Sequence, residues 1–258
     1  MTDLAPLLAE ATGLAGIALQ DAMAVFLRVG GLLAVLPAFG EQAVPMRVRL
    51  AIALAFTAVV LPAVAGAIPD ARPTAALFLS EAGAGLILGL GLRLLILALM
   101  MAGTLAAQSA SVSQLFGGAV PEPQPAFANL FVIAGLALAV MAGLHVRAAE
   151  LLILSYDILP AGRPPLPRDV AQWGLGRVAQ AFGLAFSLAA PFVMASLIYN
   201  LALGVINRAM PQMMVALVGA PALSLGALAL LAVTAPAIMQ VWTAALSAGL
   251  DQPFAATP

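Results

Sequence analysis

Long apolar runs, separated by short polar stretches rich in proline and glycine, make up most of this chain. A helix needs about 20 consecutive, mostly apolar residues to cross a bilayer. Six runs reach this length, two of them only with charges inside: 14–36, 50–68, 82–107, 126–144, 178–206 and 213–239. They are rich in Leu, Ala and Gly and show no period-2 alternation. The pattern therefore predicts about six long helices and no sheet.

The polar stretches predict where these helices end. Four turn clusters divide the runs, at 37–49, 69–73, 115–125 and 159–170. Pro191, Pro221 and Pro236 lie inside hydrophobic runs, where each proline frees a backbone carbonyl. We therefore predict an all-α membrane-associated protein in which several helices are kinked or broken at Pro or Gly.

Composition places the chain among membrane proteins and excludes several functions. Of its 258 residues, 64% are apolar and 8% are charged, whereas a soluble domain is nearer one half and one quarter. The net charge of −1 argues against binding of nucleic acid. Cysteine and lysine are both absent, which excludes thiol nucleophiles, disulfides, Schiff-base chemistry and the Walker A loop. With no shift in composition along it, residues 1–258 are predicted to form a single integral membrane domain.

The N-terminal hydrophobic segment is predicted to be retained. Asp3 and Glu10 stand where a signal peptide would carry Lys or Arg.

Three charges fall within predicted membrane helices: Asp21, Arg28 and Arg93. An arginine at the centre of a membrane helix costs about 2.5–3.5 kcal/mol, so it must be paired, snorkel or face water. Asp21 lies seven residues before Arg28, on the same helix face but far for a direct pair. We interpret all three as buried charges that line a conduit, meet a partner, or lie in helices outside the lipid.

Catalytic and metal-binding chemistry is weakly represented. The single histidine, His145, precedes Ser155 and Asp157 in one helical run. A hydrolytic dyad is conceivable, but Ser155 lacks the GxSxG elbow of such enzymes, and a lone histidine does not make a metal site. We therefore predict no enzyme activity, no metal and no cofactor.

Two glycine-rich segments indicate packing and a special loop. Gly85 and Gly89 have the GxxxG spacing that lets helices approach closely. The segment "QSASVSQLFGGAVPEPQP" (108–125) can neither continue a helix nor pack as a strand. It is either an exposed connector or a functional loop held by rigid helices.

Three blocks carry a resemblance to a known family. The most specific is "NLALGVINRAMPQMMVALVGAPALSLG" from residue 200, with its Asn-Arg-x-x-Pro-Gln core. The second is "LPAFGEQAVPMRVRLAIALAFTAVVLP" (36–62), and a weaker third is "AGLHVRAAELLILSYDILP" (142–160). Together, in this order, they resemble the FliR family, subunits of the flagellar type III protein-export gate that are related to export subunits of virulence injectisomes.

The resemblance implies a fold of helical hairpins and a role in an assembly. It implies a non-enzymatic subunit that forms a channel with FliP and FliQ, contacts FlhB near the FlhA ring, and passes unfolded flagellar proteins across the bacterial inner membrane. The middle loop would form a plug; by position its residues are Gln108, Ser109, Ser111, Ser113, Gln114, Leu115, Phe116, Gly117 and Gly118. Interface residues would be Arg47, Arg49, Asn200, Asn207, Arg208, Pro211 and Gln212.

The plug segment departs from the commoner family pattern, since "GGAVPEPQP" stands where an acidic Asp-Pro usually follows the phenylalanine stretch. Two alternative functions stay open from the residues alone. One is the equivalent subunit of a virulence injectisome. The other is a stand-alone transporter of ions or small molecules, which requires paired ionisable groups near the membrane midplane.

Overall fold

The computed structural model describes residues 4–68, 74–111, 126–209 and 215–254, with side chains described for 18–68, 74–109, 126–209 and 222–254. These ranges contain seven α-helices and no strand, so the prediction of an all-α protein is confirmed. The helices are α1 (Leu4–Val35), α2 (Met46–Val64), α3 (Ala75–Ser111), α4 (Ala126–Met141), α5 (Leu144–Ile158), α6 (Pro167–Ala209) and α7 (Val215–Asp251).

The number of candidate membrane helices agrees with the sequence pattern. Within the described ranges, α1, α2, α3, α6 and α7 are each long and apolar enough to cross a membrane. A sixth candidate consists of α4 and α5 taken together, which are bent at a short break. The predicted run at 126–144 is therefore only the first half of a bent pair, because the helix ends at Met141.

Glycine, and not proline, produces the break in this pair. Gly143 has a φ of +80°, a left-handed conformation that a residue with a Cβ rarely adopts. By contrast, α6 and α7 run uninterrupted through Pro191, Pro221 and Pro236. Proline acts at helix starts instead: α2 begins directly after Pro45, and α6 begins with Pro167.

The chain divides into two compact units. The first unit comprises residues 1–93, 140–174 and 248–258, and the second comprises 94–139 and 175–247. In the first unit α1 packs on α2, and α2 packs on α5.

The second unit is held by close backbone approach and aromatic packing. A Cβ added at Gly103 on α3 would lie 2.4 Å from the Cα of Ala128 on α4, so only glycine fits there. Trp242 on α7 is fully buried, and its indole N–H donates to the carbonyl of Leu95 on α3 at 2.8 Å. The ring of Phe131 on α4 packs on Phe192 of α6, with centroids 6.5 Å apart.

Candidate functional site

A fully buried ion pair joins α1 to α3 inside the first unit. The side chains of Arg28 on α1 and Glu81 on α3 are 1% and 0% exposed. Nε of Arg28 donates to Oε2 of Glu81 at 2.8 Å, and Nη2 donates to Oε1 at 3.1 Å. This two-point geometry is the strongest that a guanidinium and a carboxylate can form. Because each charge compensates the other, both groups can be kept out of water.

The remaining donors and acceptors of this pair are bound by α5 and by the turn that follows it. Nη1 of Arg28 donates to Oγ of Ser155 at 3.0 Å, and Nη2 donates to the carbonyl of Leu159 at 2.8 Å. The backbone N–H of Gly162 donates to Oε1 of Glu81 at 3.2 Å. One salt bridge thus connects α1, α3, α5 and the turn between α5 and α6.

Tyr156 covers the guanidinium of Arg28. The Cζ atom of Arg28 lies 3.6 Å from the centroid of the Tyr156 ring, a cation–π contact. The hydroxyl of Tyr156 is buried and has no hydrogen-bond partner among the described residues. We call Arg28, Glu81, Ser155 and Tyr156, with the backbone of residues 159–162, the buried charge cluster.

Small residues bring the two helices of the ion pair close together. A Cβ added at Gly85 on α3 would lie 2.0 Å from the carbonyl oxygen of Arg28, and one at Gly31 on α1 would lie 2.5 Å from that of Ala82. At Gly89 a Cβ would meet the side chain of Val35 at 2.4 Å. The close packing predicted from the Gly85–Gly89 spacing is therefore present, and it places Glu81 within reach of Arg28.

Sequence reasoning identified Arg28 as a charge that needs a partner but missed Glu81 as that partner. It considered Asp21 on the same helix, which is half-buried and has an interaction of its own. The available signal was a carboxylate, Glu81, directly before an apolar run that begins with a glycine motif. Choosing it required knowing that α3 lies beside α1.

A second, more exposed ion pair lies at the loop between α1 and α2. Arg93 on α3 donates to Oε1 of Glu41, and these side chains are 30% and 25% exposed. Arg49 donates to the carbonyls of Phe39 at 3.2 Å and of Glu41 at 3.0 Å, and so fixes the loop from within the chain. Arg47, two residues earlier, is exposed.

The predicted interface residues at the end of α6 lie in the second unit. Asn200 is half-buried, and Asn207 and Arg208 are exposed in the last turns of the helix. Arg208 forms none of the ion pairs found in the described chain. Pro211 and Gln212 lie outside the described residues.

The predicted plug segment is described only at its start. Gln108 is exposed, and Ser109 is buried and donates to the carbonyl of Leu105 at 2.8 Å. Ser111 is the last residue of α3. The other predicted plug residues lie outside the described ranges: Ser113, Gln114, Leu115, Phe116, Gly117 and Gly118.

The residues considered for hydrolysis do not form a catalytic pair. His145 and Ser155 lie on one helix ten residues apart, a rise of about 15 Å. Ser155 is 1% exposed; its hydroxyl accepts from Arg28 and donates to the carbonyl of Leu152 at 2.6 Å. Its role in this structure is to hold the buried ion pair.

Comparison with known proteins decides the family. The model of a family described as bacterial export proteins, family 1, matches residues 19–249. The chain belongs to this family.

Three flagellar relatives match most of the chain. The flagellar biosynthetic protein FliR of Caulobacter vibrioides is 32% identical over 225 residues, which cover 85% of this chain and 90% of that protein. The protein of the same name from Aquifex aeolicus is 30% identical over 206 residues, covering 76% and 78%. That from Escherichia coli is 28% identical over 218 residues, covering 82% and 83%. The resemblance inferred from the three sequence blocks is therefore confirmed, and all three blocks lie within the matched residues.

Proposed function

We propose that this chain is a non-enzymatic core subunit of the flagellar protein-export gate. With FliP and FliQ it forms the channel through which unfolded flagellar proteins cross the bacterial inner membrane, at the flagellar basal body and in contact with FlhB and FlhA. Both compact units belong to this one export-gate subunit. The likeness to three flagellar FliR proteins over most of the chain carries the proposal.

The distribution of exposed residues supports a role as an assembly subunit. Many large apolar side chains are exposed along α2, α6 and α7, among them Leu54, Leu197 and Leu225, at 55%, 69% and 68%. Contiguous apolar surface of this kind is covered by lipid or by other protein chains. Arg47, Asn207 and Arg208 are exposed beside it and offer donors for such neighbours.

The segment from Gln108 to Gly118 is the proposed plug of the channel. Its support is its position at the C-terminal end of α3, a helix of 37 residues whose last four residues, 108–111, belong to this segment. Gln108, at its start, borders a groove of about 230 Å³ with Thr104, Phe182 and Phe186.

A stand-alone transporter is the weaker proposal. It requires paired ionisable groups near the membrane midplane, and the pair that lies between two candidate membrane helices, away from their ends, is Arg28 and Glu81. That pair is excluded from water and satisfied by four hydrogen bonds from Arg28 and one from Gly162. Service in an injectisome is also less supported, because the named relatives are flagellar.

Deletion of the gene in its own bacterium tests the proposal. We expect loss of motility and of secreted hook and filament proteins, restored by the wild-type chain from a plasmid. A deletion strain that swims and secretes normally would rule the proposal out.

Native mass spectrometry of the chain co-expressed with FliP and FliQ tests the assembly: one copy of this chain with several of each partner is expected. A chain that stays alone, yet transports ions in liposomes, would favour the transporter.

A further inference from the structure

The exposed apolar surface of α6 is longer than the hydrocarbon core of a bilayer is thick. Large exposed apolar side chains recur on α6 from Leu175 to Ile206. This interval of 31 residues is about 46 Å long at 1.5 Å per residue. The hydrocarbon core is about 30 Å thick, and helices tilt by up to about 40°, which shortens the projection only to about 35 Å. One end of this surface therefore lies outside the hydrocarbon core.

The C-terminal end of this exposed surface of α6 carries polar residues on one helix face. Leu197, Asn200, Leu201, Gly204, Asn207 and Arg208 follow one another at intervals of three, one, three, three and one residues. This spacing places them on one face of the helix; we call them the 197–208 face. A Cβ added at Gly204 would meet nothing within 4 Å, so the middle of this face is open to a close neighbour.

An acidic partner for Arg208 would have to come from outside residues 175–247. Between Leu175 and Ser247 the sequence contains two arginines and no Asp, Glu or Lys. The three described ion pairs all lie in the first unit and do not involve Arg208. Residues 175–247 of a second copy of this chain could not supply a carboxylate either.

The two asparagines favour a protein partner over a lipid headgroup. Arg208 and Asn200 are eight residues apart, about 12 Å along the helix. Each headgroup layer is only about 5–7 Å thick, so a phosphate that binds Arg208 leaves Asn200 among acyl chains. An amide in that position needs a hydrogen-bond partner, and membrane helices supply such partners to each other.

We propose that the 197–208 face binds an apolar helix of a partner chain that carries a carboxylate opposite Arg208. The same helix packs against Gly204 and offers hydrogen-bonding groups to Asn200 and Asn207. This inference rests on the proposed assembly and specifies the chemistry of one of its contacts.

The test compares full-length variants co-expressed with the proposed partner chains and measures the assembled fraction by native mass spectrometry. Arg208→Glu reverses the charge, and Gly204→Leu blocks the close approach. The matched controls lie on the same helix outside the face: Arg168→Glu, which is exposed, and Gly183→Leu, where an added Cβ also meets nothing. The thermal midpoint of each variant, purified alone in detergent, checks that it folds.

We expect each of the first two variants to lower the assembled fraction about tenfold, since Arg208→Glu places like charges in contact and Gly204→Leu fills the space of the close neighbour. Both controls should assemble like the wild type. Changing each membrane-helix Asp or Glu of the partners to Arg, in the Arg208→Glu background, should restore assembly at one position.

If the wild type assembles, three results would overturn this inference without affecting the proposed function. The first is normal assembly of Arg208→Glu. The second is a loss that no partner reversal restores. The third is loss of bound phosphatidylglycerol from Arg208→Gln with unchanged partner retention, which would assign the site to a lipid headgroup. Failure of the wild type to assemble would overturn the proposed function as well.

Discussion

Both compact units pack helices closely at glycine, but among the described residues only the first adds a buried ion pair. In the first unit, Arg28 and Glu81 form a buried ion pair with further hydrogen bonds to Ser155, Leu159 and Gly162. In the second unit no carboxylate lies among the described residues, and helices meet where Gly103 faces Ala128 and where Trp242 is enclosed.

This difference has consequences for specificity. A buried ion pair whose donors are all hydrogen-bonded is satisfied in one helix register only, because any shift of the helices leaves a charge uncompensated. Close packing of small and aromatic residues depends on shape, and an added methyl group disturbs it without leaving a charge uncompensated. The helices of the first unit are therefore held in register by charge as well as by packing, whereas those of the second are held by packing and by the Trp242 hydrogen bond.

The largest expected effect comes from removing one member of the buried ion pair. Arg28→Met should lower the free energy of unfolding by about 3–5 kcal/mol, because Glu81 would be left buried without its countercharge. The double variant with Glu81→Met should be less destabilised than Arg28→Met alone. Denaturant titration in mixed micelles measures these values, with Arg168→Ala as an exposed control. A double variant that loses the sum of the two single effects would contradict the pairing.

The close approach in the second unit should be sensitive to a single methyl group. Gly103→Ala is expected to lower the free energy of unfolding by about 1–3 kcal/mol, since the backbone of Ala128 must move. Gly183→Ala is the matched control, because its Cβ meets nothing and alanine favours a helix by about 1 kcal/mol. Equal effects of the two substitutions in the same titration would show that packing at Gly103 is loose.

Substitutions at Tyr156 distinguish the contribution of its ring to stability from that of its hydroxyl. Tyr156→Leu should lower the free energy of unfolding by about 0.5–2 kcal/mol through loss of the cation–π contact with Arg28. Tyr156→Phe keeps the ring and removes a buried hydroxyl that has no partner among the described residues, so stability should be unchanged or slightly higher. A cost of about 1 kcal/mol for Tyr156→Phe would indicate instead that the hydroxyl donates to Glu81.

The smallest effect is expected at the second ion pair. Glu41→Gln should change the free energy of unfolding by about 0–1 kcal/mol, because Glu41 and Arg93 are each at least one-quarter exposed. Raising the salt concentration should reduce even this difference, whereas the effect of Arg28→Met should persist. A loss at Glu41 as large as that at Arg28 would remove the distinction between buried and exposed pairs.

Much of the fold follows from local pattern. Helices α3 and α6 contain a predicted apolar run in full, and α2 and α7 contain most of one. The reason is that a helix satisfies the hydrogen-bonding groups of its own backbone, which a long apolar run in a membrane requires. The break at Gly143 was not predicted, since a glycine inside an apolar run also fits a continuous helix. Helices were predicted to be kinked or broken at Pro or Gly; the described break lies at Gly143, and α6 and α7 are not broken at Pro191, Pro221 or Pro236.

The sequence by itself determined the membrane class, the helices, the family and the fact that Arg28 needs a partner, because each depends on neighbouring residues or on motifs. Only the tertiary structure decided which carboxylate pairs with Arg28, that Ser155 supports this pair, and that Arg49 fixes a loop of its own chain. Glu81 lies 53 positions from Arg28, and Ser155 lies 127. Contacts over such separations depend on which helix faces pack together, and apolar faces of similar composition do not specify that order.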